Sequence, residues 1–410
     1  MTAFNKIFDA ARLTRIAGKF GTPAYVYDEQ AIRNQCNNLK SAFEGMPVRF
    51  LYAVKANDNP HILKIIHEEG MGYDTVSYEE VLLGLRIKPD PRQIFYTENN
   101  MTDQEMEAAI RSGVILNIGS LTRLKSFLEH PGSHECSIRL NPGIGDGHHD
   151  KVDTGNRDSK FGIRKDLISG CASMAASYGK KIVGLHLHIG SGIRKPENLI
   201  SAMGVLIEYA QYLPDLRFIN FGGGMPIPYR EGAEPFDLST FAKLAEKVIR
   251  NDYRNRDSSF RYYFEPGRWF TAQAGVLLTR VNTVKDQGNV TYLGTDTGFH
   301  HILRPVLYDA YHAVVNLSRH GETGDKLYTI AGNICESGDI LATDRKLPET
   351  SEGDLLAICD AGAYGMSMAS HYNRRALPAE ILITGGSESV IRRRMSAEET
   401  VDRHLADTGF

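Results

Sequence analysis

"IVGLHLHIG", residues 182–190, alternates aliphatic and histidine side chains before it ends on glycine. Successive side chains of a β-strand point to opposite faces. Leu185, Leu187 and Ile189 therefore share one face, while His186 and His188 share the other. An aliphatic outer face suits packing on helices. Two inward imidazoles suit the C-terminal mouth of a parallel barrel, where such barrels carry out their chemistry.

The same rhythm extends outward in both directions. Short apolar runs at "VRFLYAVK" (48–55), "GYDTVS" (72–77), "QIFYTE" (93–98), "VILNIG" (114–119), "ECSIRLN" (135–141), "LRFINFGGG" (216–224) and "RYYFEPG" (261–267) alternate with helix-like stretches such as "EEVLLGLR", "AEKVIRN" and "TDQEMEAAIR". The last of these opens with Thr102 and Glu105 at capping-box spacing, a helix-start signal. Strand alternating with helix implies a parallel sheet. Eight such strands between about residues 28 and 270 match an α/β fold of the (β/α)8, TIM-barrel type. A doubly wound open sheet is the rival, but no G-x-G-x-x-G follows the first strand.

Beyond residue 280 the texture changes. "GVLLTRVNTVKDQGNVTYLGTD", "KLYTIAGNICESGDILATD", "GDLLAICDAGAYG" and "AEILITGG" are β-type runs broken by glycine turns, the pattern of a predominantly β domain. The expected organisation is a barrel over 28–275 and a β domain built from 1–27 and 276–410.

Composition narrows the function classes. The 47 basic and 50 acidic residues leave a formal charge of −3, with no basic stripe for nucleic acid; "IRRRM" near the C-terminus reads as a solvated face. No apolar run approaches the roughly 20 residues of a membrane span. The first 20 residues are amphipathic and lack the continuous apolar core of a secretory signal. Cys36, Cys136, Cys171, Cys335 and Cys359 are scattered, odd in number and free of C-x-x-C spacing. That suits reduced thiols in a cytoplasmic protein, not a disulfide frame or a zinc ribbon.

Parity also places charge. Lys55 shares a face with Leu51 and Ala53, and Glu265 with Tyr263, so a lysine, two histidines and a glutamate converge on one barrel mouth. Each has a bland reading alone: a solvated lysine, a core pair of histidines. Glycine adds a further signal. "IGSG" (189–192) and "FGGGMPIPY" (221–229) follow the sixth and seventh strands, where barrel phosphate sites lie. Gly222, Gly223 and Gly224 allow close backbone approach, and successive N–H groups can cradle phosphate oxygens. A lysine amine, a carboxylate and a phosphate cradle in one pocket suit pyridoxal 5'-phosphate. The amine condenses with the aldehyde, the carboxylate pairs with the protonated ring nitrogen, and the glycines hold the phosphate.

The ordered set "YAVKAN", "HLHIGSG", "NFGGG", "EPGR", "RPVLYDAYH", "CESGD" and "GAYGMSMASHYNRR" runs from about residue 20 to 395. It resembles the fold-III pyridoxal-phosphate decarboxylases, and within them the diaminopimelate decarboxylase family. "CESGD" and "RPVLYDAYH" separate that branch from the ornithine and arginine decarboxylases. The resemblance implies an alanine racemase-like barrel followed by a β domain, in a homodimer with shared active sites. It implies that Lys55 carries the cofactor, His188 stacks on its ring, Ser191 and Gly224 hold phosphate, and Glu265 pairs with the ring nitrogen. Arg268 would lie at phosphate and substrate, Tyr364 at the cofactor, and Arg304 and Tyr308 at the substrate's distal end. Cys335, as proton donor, and Glu336, on the distal amine, would come from the partner subunit. The implied reaction converts meso-2,6-diaminopimelate to L-lysine and CO2, the last step of lysine biosynthesis. For Cys335, its immediate context without the motif reads as a buried apolar thiol.

Some features depart from the pattern. In "DTGFHHILRP" (296–305), His300 and His301 stand where the family commonly has asparagine with an acidic or small neighbour, which leaves the substrate preference open. The stretch 141–163 reads as a long loop, a lid or interface segment rather than a metal site built on His148, His149 and Asp150. A decarboxylase of another diamino acid, such as ornithine or lysine, is the alternative; Arg304 and Glu336 argue against simple diamines. A non-catalytic regulatory homologue would be expected to lose Lys55 or Cys335, and both stand. An alanine racemase-like activity would not call for "CESGD".

Overall fold

The computed structural model describes residues 3–87, 90–147, 149, 154–193 and 195–409. His148 and Asp150 of the sequence reading lie outside them. The chain divides into two units: Gln35–Ile227 with Pro235–Trp269, and Met1–Asn34 with Pro228–Glu234 and Phe270–Phe410.

Strand β1 (Ala24–Asp28) belongs to the second unit. The first unit carries β2 (Val48–Ala53), β3 (Gly72–Thr75), β4 (Ile94–Thr97), β5 (Ile115–Ile118), β6 (Glu135–Asn141), β7 (Ile163–Arg164), β8 (Lys181–His186), β9 (Phe218–Asn220) and β10 (Arg261–Phe264). Eight of them close a ring in the order β2-β3-β4-β5-β6-β8-β9-β10 and back to β2, every pair parallel. The two-residue β7 adds to β6 outside the ring. The helix expected to open at Thr102 forms over Asp103–Ser112; Thr102 Oγ1 accepts from Glu105 N at 3.2 Å and Glu105 Oε2 accepts from Thr102 N at 2.7 Å.

The barrel interior is sorted by polarity. Leu51, Phe95, Val183 and Phe218 form one apolar cluster with Ile115 and Tyr263 packed on it. Phe95 meets the rings of Phe218 and Tyr263 at 5.1 and 5.0 Å. Further along the same inward faces come Asp74, Thr97, Asn117, Arg139, His186 and Asn220, all buried. One end of the barrel is thus a plugged floor and the other a polar mouth.

Two expectations change here. The β6–β8 register slips by one residue between the pairs Cys136–Ile182 and Ser137–Gly184, so Val183 is a bulge. The bulge lets Val183 join the interior cluster while His186, three residues on, also faces inward. Simple alternation would have put Val183 outside with Leu185. Gly184 has no alternative, because a Cβ there would sit 2.0 Å from the Phe218 ring. The strands are also shorter than expected. β2 stops at Ala53 and Lys55 sits in a 3-10 turn, Val54–Ala56; β8 stops at His186, before His188; β10 stops at Phe264, before Glu265. Parity therefore governs the approach to these three side chains but not the side chains themselves.

The second unit is a nine-stranded mixed sheet of β1 with β11 (Gly275–Asp286), β12 (Thr291–Thr295), β13 (Val314–Asn316), β14 (Lys326–Ala331), β15 (Ile340–Leu347), β16 (Leu355–Ile358), β17 (Ala379–Thr384) and β18 (Ser387–Arg392). β1 lies parallel to β17 and antiparallel to β11. A helix over Ala10–Phe20, capped by Asp9 through Ala11 N and Arg12 N, lays Leu13 and Ile16 on Val26, Val276, Leu278 and Ile381. No helix among the described residues is long and apolar enough to cross a membrane.

Candidate active site

At the polar mouth, Lys55 Nζ donates to Asp74 Oδ2 at 2.8 Å. Burial pushes the Asp74 carboxyl up and the Glu265 charge adds to this, while Lys55 pulls the other way. Glu80 lies in the same field: burial raises its carboxyl to about 7, against a hydrogen bond from Val76 N and the pull of Lys55.

Glu265 is held by both oxygens. His186 Nε2 lies 3.0 Å from Oε2, and Asn220 Nδ2 donates to Oε1 at 2.6 Å. Burial alone would raise this carboxyl; His186 first, then Lys55, outweigh it and hold it at about 2. Glu265 is therefore an anion in a buried site. Asn220 Oδ1 also accepts from Gly222 N at 3.0 Å, which ties the carboxylate network to the glycine turn.

His188 is fixed from the same turn. Its Nδ1 accepts from Gly223 N at 3.1 Å, so the ring's proton sits on Nε2. Desolvation, with the nearby cations Arg139 and Lys55, holds this imidazole well below its usual value and keeps it neutral. The glycines are required by space. A Cβ on Gly222 would lie 2.4 Å from Leu187 O, one on Gly223 2.2 Å from Glu265 O, and one on Gly224 2.5 Å from Gly190 O; Gly222 and Gly224 also have positive φ. Arg268 Nη2 donates to Ser191 Oγ at 3.1 Å. The barrel unit thus brings together Lys55, His188, Ser191, Gly222, Gly223, Gly224, Glu265 and Arg268.

Three side chains of this cluster were not singled out in the sequence, Asp74, Arg139 and Asn220, and His186 was placed at the mouth without a role. A common signal marks them, a polar residue at an inward position in the last turn of an otherwise apolar strand ("GYDT", "SIRLN", "GLH", "FIN"). Two of their buried atoms, Asp74 Oδ1 and His186 Nδ1, have no hydrogen-bond partner among the described residues. Such orphans mark a polar cavity wall that a ligand completes.

The remaining candidates lie in the second unit. Arg304 and Tyr308 begin and end a one-turn helix. Arg304 is 2% exposed, lies 4.5 Å over the Tyr229 ring, and donates from Nη1 to His312 Nε2 at 2.7 Å. His312 Nδ1 in turn donates to Cys359 O at 2.7 Å. Burial lifts the Asp360 carboxyl to about 7 against the pull of Arg304. Tyr364 has φ 55°, between Gly362 and Gly365. Cys335 is exposed where the other four cysteines are buried, contrary to the bland reading of that thiol. Its Sγ accepts from Asn373 Nδ2 at 3.1 Å, and Glu336 Oε1 accepts from Tyr372 OH.

Comparison with known proteins bears on the chemistry. Residues 29–272 match the family model of the pyridoxal-dependent decarboxylase, pyridoxal binding domain. The chain is 40% identical to a diaminopimelate decarboxylase of Methanothermobacter thermautotrophicus over 95% of its own length and 92% of the relative's. It is 35% identical to the Escherichia coli diaminopimelate decarboxylase over 97% of both. Among solved structures, diaminopimelate decarboxylase from Helicobacter pylori complexed with L-lysine superposes with a TM-score of 0.88 at 31% identity, covering 97% of this chain and 100% of that one.

Proposed function

Because the chain belongs to the diaminopimelate decarboxylase family of pyridoxal-dependent decarboxylases, we propose that it converts meso-2,6-diaminopimelate to L-lysine and CO2. The observation that carries this is the buried Glu265 carboxylate, clasped by His186 and Asn220 in the same cluster as Lys55. The cofactor is pyridoxal phosphate. When bound, it supplies an aldehyde for a lysine amine and a protonated pyridine that takes up the electron pair left by departing CO2.

The chain's own residues fit that group. Lys55 would carry it, with Asp74 beside the amine to accept and return a proton. Glu265 would set a fixed negative charge against the ring nitrogen, and the neutral His188 ring would stack on the pyridine. Gly222–Gly224, Ser191 and Arg268 would hold the phosphate, and Tyr364 would touch the cofactor. Arg304 would pair with the substrate's distal carboxylate with Tyr308 beside it. In a cytoplasmic homodimer, the partner subunit would supply Glu336 for the distal amine and Cys335 to protonate the α-carbon. What supports the dimer reading is the outward placement of the Cys335 thiol.

The test is direct. Cofactor-loaded protein is incubated with meso-diaminopimelate, ornithine, lysine and arginine while CO2 and amine products are recorded. Lysine from diaminopimelate alone is expected. Turnover of another diamino acid in preference to it would overturn the assignment.

A further inference from the structure

Residues 370–376 form a strap in the second unit, tied down on both sides. Ser370 N donates to His300 O at 2.8 Å, and His301 Nε2 donates to Ala376 O at 3.0 Å. His301 Nδ1 is fixed by Thr297 Oγ1 at 2.9 Å. Arg375 Nη2 donates to Asn333 O at 2.9 Å, and the Tyr372 ring stacks on Phe299 at 5.8 Å. Both histidines are buried, at 1% and 2% exposure, with rings 3.6 Å apart.

Between these ties the backbone is strained. Asn373 and Arg374 have φ of 53° and 59°, two consecutive non-glycine residues in the left-handed region. Such conformations persist where the surroundings over-determine them, and they cluster at functional sites. What this one delivers is specific: the Asn373 amide reaches Cys335 Sγ, and the Tyr372 hydroxyl reaches Glu336 Oε1.

We propose that Asn373 is a positioning residue for the Cys335 thiol and Tyr372 for the Glu336 carboxylate, on a strap that His300 and His301 lock in place. This rests on the roles given above to Cys335 and Glu336. A thiol has three staggered positions about χ1, and a single donor selects one. The exposed sulfur is thereby presented to an alkylating reagent in that one orientation. The His301 ring and the His300 backbone carbonyl thereby act as anchors of the strap and need no direct part in the reaction.

Asn373→Gly tests this without forcing the backbone, since glycine adopts positive φ freely. In cofactor-loaded enzyme, the expected result is a fall in kcat for meso-diaminopimelate of about fivefold, the size of one lost hydrogen bond, with KM within about twofold. Iodoacetamide labelling of Cys335, followed by peptide mass, should slow by a similar factor. Tyr372→Phe should raise KM about fivefold and leave kcat nearly unchanged. Cofactor content should match the wild type in both. Wild-type kcat and labelling rate in Asn373→Gly would sink the proposal. So would a common loss of cofactor in both variants with labelling unchanged, the mark of a purely structural strap. If the wild type itself fails to turn over diaminopimelate, the functional assignment falls, while the labelling comparison still decides for or against Asn373.

Discussion

Lys55 and Asp74 form an asymmetric pair: an amine 38% exposed bonded at 2.8 Å to a carboxylate 2% exposed. The cation can be reached and its counter-charge cannot. Borohydride reduction of the cofactor-loaded protein should therefore fix a pyridoxyl label on the peptide that holds Lys55. Lys55→Met should abolish the label, and Asp74→Asn should slow its formation about tenfold. A label found on another lysine would remove the basis of the assigned chemistry.

Glu265 sets the acid limit of the barrel mouth. Its folded carboxyl is held at about 2, below the ordinary glutamate value of about 4.3 in an unfolded chain. The stability it contributes is therefore complete above that ordinary value, fades as pH falls, and is gone below about 2. The contribution is on the order of 3 kcal/mol. Urea unfolding at stepped pH should show this limb in the wild type and a flatter one in Glu265→Gln.

Much of this mouth was legible in the sequence, and the reason is local. Lys55 and Glu265 follow apolar strands directly, and charge at a strand's end stands out against its neighbours. The Thr102–Glu105 cap was equally local and forms as expected. The histidines came out on the right side although the rule used was incomplete, because the Val183 bulge restores the inward face that a continuous strand would have lost. Asp74 and Asn220 were hidden because each is one polar residue in a short run, and their meaning comes from partners far away in the chain. The pairing of β1 with β17 and the strap under Cys335 depend on contacts of that long-range kind, which no local pattern encodes.

The glycine turn separates space from flexibility. Gly223→Ala places a Cβ 2.2 Å from a backbone oxygen that cannot rotate away, so a loss of about 3 kcal/mol and of cofactor binding is expected. Gly204→Ala, in the helix Pro196–Ala210 with nothing within 4 Å of the new carbon, should be neutral or gain up to about 1 kcal/mol. Thermal melts and cofactor absorbance of the two variants give the comparison.

Arg304 is buried, lies over the Tyr229 ring and bonds to the His312 imidazole. Arg304→Lys keeps a donor for His312 but loses the planar fork that meets a carboxylate in bidentate fashion. The KM for meso-diaminopimelate should rise at least about 20-fold, roughly 2 kcal/mol, with the cofactor spectrum unchanged. An unchanged KM would place the distal carboxylate elsewhere.

The position of β1 has a consequence for how the chain is made. Ala24 pairs with Leu278 on one side and with Ala379 on the other, so β1 has no neighbour until β11 has been made and lacks its second until β17 follows. The barrel unit, by contrast, is complete at Trp269 and needs nothing later in the chain to close its ring. Vectorial synthesis thus delivers a finished barrel while β1 is left waiting, and the mixed sheet is sealed only when β17 follows.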